Sequence, residues 1–496
     1  MTASRLEVDP VFESSAPFAL LDYFRVPYTV GAAAGPSLPP GWGRLHATAG
    51  GPSLYWPVTP DRHAWAGLFR VAGSTLAGHV AQQAPRAVMP TGEWRPVEHL
   101  HDRAGAPVAS VWQDRDGNVW LPFDPGEVMR CLWSERYTAL GTRAKAVRAA
   151  RKVALKGYYA ARPLMPRSLQ LRMRRTLARH QQQDGAAFPA WPVEDGLHRM
   201  YDWLFDLLAG LAGEQVPAID TWPDGCSWAL VLTHDVETQQ GVDDMELLRG
   251  DERRLGYRSS WNFVPERYDV DAALVQRTEA DGCEVGVHGL RHDGRDLASR
   301  RHLMRRLPAI RRNAAAWGAV GFRSPATQRA WSLMPLLGFE YDASYTDTDP
   351  YEPQPGGCCT YLPFFIDDLV ELPITVPQDH TLFEILRETD AGTWRRKVGA
   401  LRERGGLALV LAHPDYARNP HMAREWRALL EEVAGDTTMW QPLARDAARW
   451  WRERAASDVR RDGDGWTVRG PAAGRAGVRL LGDPASSAVP HGTRAG

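Results

Sequence analysis

Short apolar runs alternate with helical segments between residues 226 and 450. Seven of these runs have the length and apolar content of buried strands, and amphipathic segments such as LMRRLPAIRRNAAAWG lie between several of them. The seven candidate strands are SWALVLTH, YRSSWNFVP, CEVGVH, AVGFRSP, FEYDAS, LVELPIT and LALVLAHP. Strands that alternate with helices in this way predict an α/β fold.

The pattern outside this region differs and predicts three further segments. Residues 1–140 mix Pro- and Gly-rich loops with short apolar runs, which indicates an N-terminal mixed α/β accessory domain. Residues 141–222 are predicted to form a basic helical connector that leads into the α/β domain at 223–455. Residues 456–496 are expected to form a short β extension and a flexible tail.

The basic connector is the most strongly charged stretch of the chain. Residues 143–180 contain many Arg and Lys residues, no Asp or Glu, and mostly helix-forming residues, interrupted at Pro163 and Pro166. Such a segment is able to contact an anionic membrane surface, a phosphorylated substrate or a nucleic acid. Without a nucleic-acid motif or interleaved aromatic residues, we favour a solvated or interdomain helical face over any single partner, and exclude nucleic acid.

Composition narrows the class of protein. The chain has 496 residues, 44% of them hydrophobic, and a formal net charge of −1, so bulk charge does not favour a polyanionic partner. No apolar run reaches the roughly 18 residues of a membrane-spanning helix. The first residues, MTASRLEVDPVFESS, include acidic residues where a signal peptide would have basic ones. The five cysteines form no C-x-x-C pair. We therefore expect a cytoplasmic protein with reduced thiols.

Polar side chains stand where several of the predicted strands end. In α/β barrels the loops after the strands converge and build the active site. The residues at or just after the strand ends are Asp235 and Glu237 for the first strand, His288 and His292 for the third, Arg323 for the fourth and His413 for the last. Polar groups drawn from so many strand ends predict one shared site.

Three of these residues are suitable metal ligands. Glu237 offers a carboxylate oxygen, and His288 and His292 offer imidazole nitrogens. Two histidines and one carboxylate form a familiar set for a catalytic divalent ion that keeps open positions for water. The H-x-x-x-H spacing is a weak signal by itself, but Gly289 permits a sharp turn that would let both rings face one point.

The motifs THDVE, VHGLRH, GFRSPA and LAHP, in this order, resemble motifs of the NodB-homology polysaccharide deacetylases, carbohydrate esterase family 4. The resemblance covers about residues 226–450. It implies a distorted seven-stranded (β/α) barrel, in agreement with the number of predicted strands. It also implies a hydrolase that removes an N-acyl group, most often acetyl, from an amino sugar.

The resemblance further implies a role for each motif residue. Asp235 would be the general base and Arg323 its partner, and His413 would be the general acid. Glu237, His288 and His292 would hold the metal, and the backbone N–H of Ala326 would stabilise the oxyanion.

Asp379 or Asp415 would orient a ligand or the acid, and the sequence does not choose between them. Trp261 and Trp331 are interpreted as core residues first and as sugar-stacking platforms second.

Two positions depart from the family pattern. The first motif usually has adjacent aspartates, whereas here Val236 intervenes and the second acid is Glu237, whose longer side chain must fold back to reach the same metal. Ala326 stands where a tyrosine is usual. Because the family uses the backbone N–H at that position, the change of side chain leaves the predicted role intact.

The sequence thus predicts a metal-dependent amidase that acts on an amino sugar or glycan precursor. Zinc is the expected ion, with cobalt or nickel also suited to the ligands. The expected substrate is a carbohydrate, for which nucleotide-linked or lipid-linked forms suit a cytoplasmic enzyme, with weak membrane-surface contact through residues 143–180. Two alternatives remain open: a hydrolase of another non-peptide C–N bond on the same barrel, and a catalytically silent metal-binding or interaction module.

Overall fold

The chain is a mixed α/β protein, as the sequence predicts. The computed structural model describes residues 10–31, 38–59, 64–87, 93–140, 166, 172–176, 178–179 and 188–485. Within these residues, none of the helices has both the length and the apolar character needed to cross a membrane.

The N-terminal segment is built on one nine-stranded sheet. Its elements are β1 (Phe12–Ser14), α1 (Ala19–Phe24), β2 (Tyr28–Val30), β3 (Trp42–Ala47), β4 (Ser53–Pro57), β5 (Trp65–Val71), β6 (Ser74–Val80), β7 (Arg95–Asp102), β8 (Pro107–Gln113), β9 (Val119–Trp120) and α2 (Pro125–Trp133). The strand order is β2-β1-β3-β4-β9-β8-β7-β5-β6, and most neighbours are antiparallel. Tyr55, Trp94 and Trp120 form a buried aromatic cluster in this segment.

A second large sheet follows in the middle of the chain. The elements from residue 196 onward are α3 (Gly196–Ala212), β10 (Val216–Ile219), β11 (Trp228–Val236), α4 (Gln239–Arg254), β12 (Ser259–Phe263), α5 (Ala272–Ala280), β13 (Glu284–Val287), α6 (Arg300–Trp317), β14 (Gly321–Phe322), β15 (Tyr341–Asp342), β16 (Phe364–Ile366), β17 (Leu369–Glu371), α7 (Gly392–Glu403), β18 (Leu407–Ala412), α8 (Pro420–Val433), β19 (Met439–Trp440) and α9 (Ala444–Ala455). The chain continues with β20 (Asp458–Asp462), β21 (Gly465–Arg469) and β22 (Val478–Leu481).

The second sheet has the order β16-β17-β15-β14-β13-β12-β11-β18 and is parallel except for the β16–β17 pair. Each of the seven predicted strands overlaps one strand of this sheet, whereas β16 and β19, which pairs with β11, were not predicted. β11 lies between β12 and β18, and all nine of its residues are buried. A strand covered on both faces in this way has a continuous apolar sequence, which explains the run WALVL.

Isolated β-bridges connect the β17 end of this strand order to β18 at the other end. Just beyond β17, Ile374 forms a parallel bridge with Thr346, and Val376 forms one with Val410 of β18. The pairings therefore lead from β18 through β11 to β17 and back to β18. Because parallel strands point the same way, their carboxyl ends share one edge of this circuit.

Contacts between residues divide the described chain into two compact units. The first unit takes its described residues from Met1–Arg148, Asp195–Asp224 and Glu453–Gly496, and the second takes them from Ala149–Glu194 and Gly225–Arg452. In the first unit, β22 pairs with β10, and β20 and β21 form a hairpin. The division of the chain into four successive functional segments stays a prediction.

Most of the basic stretch at residues 143–180 lies outside the described residues. Residues 172–176 are helical. Arg174 Nη2 lies 3.7 Å from Glu352 Oε1, and Arg175 Nη2 lies 4.0 Å from Glu384 Oε2. These two arginines thus lie close to acidic residues of the same unit, as expected for a basic helical face whose charge is neutralised by acidic residues elsewhere in the chain.

Candidate active site

The strand-end residues predicted from the sequence come together in the second unit. Asp235 lies near the end of β11, His288 directly follows β13, Arg323 follows β14, and His413 follows β18. All four side chains are nearly inaccessible to solvent. They surround Glu237 and His292, which lie on the loops after β11 and β13.

Glu237, His288 and His292 form a candidate metal centre. One potential ligand atom from each residue lies within 4.8 Å of the other two. His292 Nε2 is 2.9 Å from Glu237 Oε1 but makes no hydrogen bond with it. Within the described part of the chain, His288 Nε2 and both ring nitrogens of His292 are buried and have no hydrogen-bond partner.

The surroundings of these rings fit a bound divalent ion. His288 Nδ1 is 3.2 Å from the carbonyl oxygen of Arg323, so Nδ1 donates its proton there and Nε2 keeps its lone pair. Buried ring nitrogens without partners are rare unless a ligand satisfies them. Two imidazole nitrogens and one carboxylate oxygen are the donors that zinc accepts at a catalytic site.

The ionisation of two of the candidate ligands, His288 and Glu237, also suits a metal. Burial lowers the pKa of His288 to about 4, so its ring is neutral near pH 7. Burial acts to raise the pKa of Glu237, but the neighbouring His292 outweighs it and holds that pKa well below the ordinary value. At neutral pH the site therefore presents a free imidazole lone pair and a carboxylate.

The backbone after β13 allows both histidines to face the same point. Gly289 has a φ of +63°, and a Cβ there would come within 2.6 Å of Asp296 Oδ2 and of the Pro325 ring. His292 itself has a φ of 52°, in the left-handed region that non-glycine residues rarely occupy. Strained conformations of this kind persist where the surrounding structure enforces them, and they are frequent at functional sites.

Asp235 is held by three neighbours. Its Oδ1 accepts a hydrogen bond of 2.9 Å from Asn262 and lies 3.6 Å from Arg323 Nη1, and its Oδ2 lies 3.6 Å from His288 Nδ1. Burial acts to raise the pKa of Asp235, but His288 and Arg323 act against it, and the pKa lies below the ordinary value. The carboxylate is thus ionised and able to accept a proton. Gly286 on the adjacent strand makes room for Asn262, because a Cβ there would lie 2.1 Å from Asn262 Oδ1.

The predicted partnership of Arg323 with Asp235 is an ion pair without a hydrogen bond. Arg323 Nη1 instead donates to Thr233 Oγ1 at 3.0 Å. The turn after Arg323 contains Ala326 and Thr327, whose φ values are 52° and 47°. Ala326 is partly exposed at this turn, and its role as a backbone donor stays a prediction.

The structure distinguishes between the two aspartates that the sequence left open. Asp379 accepts two hydrogen bonds from His413, one from Nδ1 at 2.6 Å and one from the backbone N–H at 2.7 Å. Burial alone would lower the pKa of His413, but Asp379 and Glu237 raise it to about 10. The ring is therefore protonated near pH 7, and its Nε2 lies 3.9 Å from Glu237 Oε1.

Asp415 makes its hydrogen bonds to the turn that precedes α4. Its carboxylate accepts from the Glu237 backbone N–H at 2.9 Å and from Thr238 Oγ1 at 2.5 Å. Gly241 leaves space for it, because a Cβ at that position would lie 2.3 Å from Asp415 Oδ2. Asp415 thereby fixes the turn that carries the candidate ligand Glu237.

Sequence reasoning missed Asn262 and did not choose Asp379. Asn262 lies inside the second predicted strand, at the same end as Asp235 on the neighbouring strand, and a search for polar residues at every strand end would have found it. Trp261 is completely buried, as the core interpretation predicts. Trp331 is partly exposed, and its ring is parallel to that of Phe364 at 6.0 Å.

No family model and no curated protein matches the sequence. Solved structures similar to this chain include polysaccharide deacetylases and family 4 carbohydrate esterases, the group that the motifs resemble. A protein described as a polysaccharide deacetylase from Mycobacterium smegmatis is 23% identical, with a TM-score of 0.39, over 48% of this chain and 95% of that one. The family 4 carbohydrate esterase from Streptomyces lividans is 15% identical, with a TM-score of 0.29, over 43% and 91%.

A third similar structure is the Puue allantoinase, 15% identical with a TM-score of 0.38, over 47% of this chain and 93% of that one. Because all three identities lie below 25% and all three TM-scores below 0.5, the function proposed next rests on the residues of the site.

Proposed function

We propose that residues 223–455 form a metal-dependent amidase that removes an N-acyl group, in the first place acetyl, from an amino sugar or glycan precursor. The observation that carries the proposal is the convergence of Glu237, His288 and His292, whose buried histidine nitrogens lack partners among the described residues. The closed circuit of strand pairings supports a distorted seven-stranded (β/α) barrel of NodB-homology type.

Glu237, His288 and His292 would hold the divalent ion, with zinc the first choice and cobalt or nickel compatible. When bound, such an ion lowers the pKa of a water molecule towards about 7 and polarises an acyl oxygen. The remaining chemistry belongs to the side chains on either side of the triad.

Asp235 would act as the general base. Its low pKa keeps it ionised, and Asn262 and Arg323 orient the carboxylate, so it is able to accept the proton of an attacking water. The Ala326 N–H would donate to the oxygen that becomes negative in the tetrahedral state, a contribution of roughly 3 kcal/mol for a single donor in comparable sites.

His413 would act as the general acid. Its ring is protonated at neutral pH, and Asp379 holds Nδ1, so Nε2 is the nitrogen that presents a proton to the site. The leaving group of an amide is an amine, which departs as a stable species only if its nitrogen is protonated. Asp379 thus orients the acid and favours its charged form.

The proposal is tested by elemental analysis and acetate release on the full-length protein. Wild type should bind about one divalent ion per chain and release acetate from at least one member of a panel of N-acetylated amino sugars and nucleotide sugars. His288→Ala should lose both properties, and His421→Ala, which changes a histidine of α8, should keep both. Metal binding without acetate release, together with hydrolysis of a cyclic amide, would replace the proposed substrate class.

We also propose that the substrate is presented at an anionic surface recognised by residues 143–180, as for a lipid-linked saccharide. The proposal rests on the charge of this segment. Binding to vesicles that contain anionic lipid should fall steeply between low and physiological salt, because exposed charges are screened over about 8–10 Å under those conditions. Binding that does not change with ionic strength would contradict it.

A further inference from the structure

His234 is a completely buried histidine for which the proposed reaction has no use. It precedes Asp235 in β11, and neither its side chain nor that of its partner Glu252 is exposed to solvent. His234 Nε2 lies 2.7 Å from Glu252 Oε1, and Nδ1 lies 3.1 Å from the carbonyl oxygen of Ala412. A carbonyl oxygen only accepts, so Nδ1 donates to Ala412, and Nε2 shares a hydrogen bond with the carboxyl group of Glu252.

The ring has little freedom to move. It stacks on Trp261 with 4.1 Å between centroids, and Ser259 donates to the second oxygen of Glu252 at 2.6 Å. The indole N–H of Trp261 in turn donates to Ser259 Oγ at 2.9 Å. Every polar atom of this group therefore has a partner, which makes it a rigid support.

This support lies directly behind the proposed base and acid. Successive residues of a strand point to opposite faces, so His234 faces α4 while Asp235 faces the site. His234 is paired in register with Ala412, the residue before His413. The peptide group that joins Ala412 to His413 is consequently held at both ends, its oxygen by His234 and its N–H by Asp379 at 2.7 Å.

We infer that His234 and Glu252 are positioning residues that set the placement of the general acid relative to the general base. The inference depends on the roles proposed above for Asp235 and His413. One side chain bonds to the peptide that carries the acid, and its own backbone carries the base. Loss of the bond to Ala412 would let His413 shift while the metal ligands stay in place.

The test compares two substrates that differ in their need for an acid. An N-acetyl amino sugar requires protonation of its leaving nitrogen, whereas p-nitrophenyl acetate releases a phenolate that is stable without a proton. His234→Phe keeps an aromatic ring on Trp261 and removes both hydrogen bonds. In the zinc-loaded full chain, we expect kcat for the amide to fall by about 10²-fold with little change in KM. The aryl ester rate should change by less than about threefold, because acid catalysis contributes little to it.

Two further variants separate positioning from general stability. Glu252→Gln keeps an oxygen acceptor for the His234 ring and should retain most amide activity, whereas Glu252→Leu should behave like His234→Phe. Ser260→Ala removes a buried hydroxyl from the same sheet, one that bonds to Glu284 at 2.7 Å. It should lower the Tm without changing the ratio of amide to ester activity. Equal loss on both substrates in His234→Phe would overturn the inference and leave a structural role only.

A spectroscopic measurement keeps this inference distinct from the proposed function. In protein labelled with 15N-histidine, His234→Phe should shift or split the ring signals of His413, assigned with a His413→Gln variant. Wild type that hydrolysed neither substrate would overturn the proposed function, and the NMR result would still decide whether His234 positions His413. Unchanged His413 signals would refute the positioning role.

Discussion

Two clusters of buried polar side chains lie in the same parallel sheet and differ in how completely they are satisfied. At the amino end, Glu284 accepts hydrogen bonds from Ser260 at 2.7 Å, from the Arg445 N–H at 3.1 Å and from Tyr341 at 2.9 Å. At the carboxyl end, His288 Nε2 and the ring nitrogens of His292 have no such partners among the described residues.

The difference indicates that burial and polarity alone do not identify a site. Both clusters contain an inaccessible carboxylate, and both would stand out in a search for buried charge. The cluster around Glu284 uses its hydrogen bonds within the protein and contributes to stability. The cluster around His288 has ring nitrogens without a partner among the described residues, and such nitrogens are available to bind a metal ion.

The largest effect is expected from His288→Ala, which removes a proposed metal ligand. Loss of an outer partner of a ligand weakens metal binding by roughly 10–100-fold, and loss of the ligand itself should exceed that. Metal content by mass spectrometry and acetate release should both fall to background. A variant that retained stoichiometric metal would show that His288 is not a ligand and would remove the distinction between the clusters.

Asp235→Asn should give the next largest effect, and it should lower turnover without changing metal content. The amide keeps a hydrogen-bonding group beside Asn262 but is unable to accept a proton, so turnover should fall by about 10²–10⁴-fold. Metal content should remain close to that of wild type. Loss of metal together with activity would make Asp235 a ligand in place of a base.

His288 should contribute little to the pH dependence of metal content above about pH 5. Burial lowers the pKa of His288 to about 4, so protons compete with the metal at this ring only as the pH falls through that value. Below that pH the proton that His288 binds should lower the metal affinity by about tenfold per pH unit. Titration of the His288 ring in the metal-free protein, followed by NMR of 15N-labelled histidine, checks this, and a midpoint near pH 6.5, the ordinary range of histidine, would contradict it.

The smallest effect on activity should come from the amino-end cluster. Glu284→Ala leaves two hydroxyls and one backbone N–H without their acceptor, which should lower the free energy of unfolding by about 1–3 kcal/mol for each group. Activity per folded molecule should match wild type. Glu284→Gln, which keeps one oxygen acceptor, should lose less stability. A selective loss of activity in either variant would show that the two clusters are coupled.

Much of the second sheet could be predicted from the sequence because its strands are covered on both faces. WALVLTHDV is buried along its whole length, so its apolar run is continuous and easy to recognise. Asp235 and the candidate ligands Glu237 and His288 were predicted because they lie at or just after the ends of such runs, and His292 was predicted from its spacing to His288. β16 was missed since it is a three-residue antiparallel partner of β17 and has no helix before it.

Other features depend on contacts that a pattern does not contain. Some strands of the N-terminal sheet, such as β7, are only partly buried and irregular in their alternation, so the sequence indicated only a mixed domain. Asp379 caps a short helical turn and Asp415 lies in a 3-10 helix after β18, and neither position is marked by a pattern in the sequence. The separation of 34 residues between Asp379 and His413 also conceals the hydrogen bonds between them. His234 was visible beside Asp235, but its partner Glu252 lies on the next helix and became evident only in the fold.

The pairing of β19 with β11 has a consequence for how this protein could have been assembled. Met439 is in register with Trp228, and the Ser227 N–H donates to the carbonyl of Thr438 at 2.8 Å. The long segment of the second unit, Gly225–Arg452, thus has its first strand, β11, beside its last strand, β19. Such adjacency is the geometry that lets one gene fragment be spliced into a loop of another. The same geometry makes a circularly permuted version of this segment feasible, in which a short linker joins its original ends.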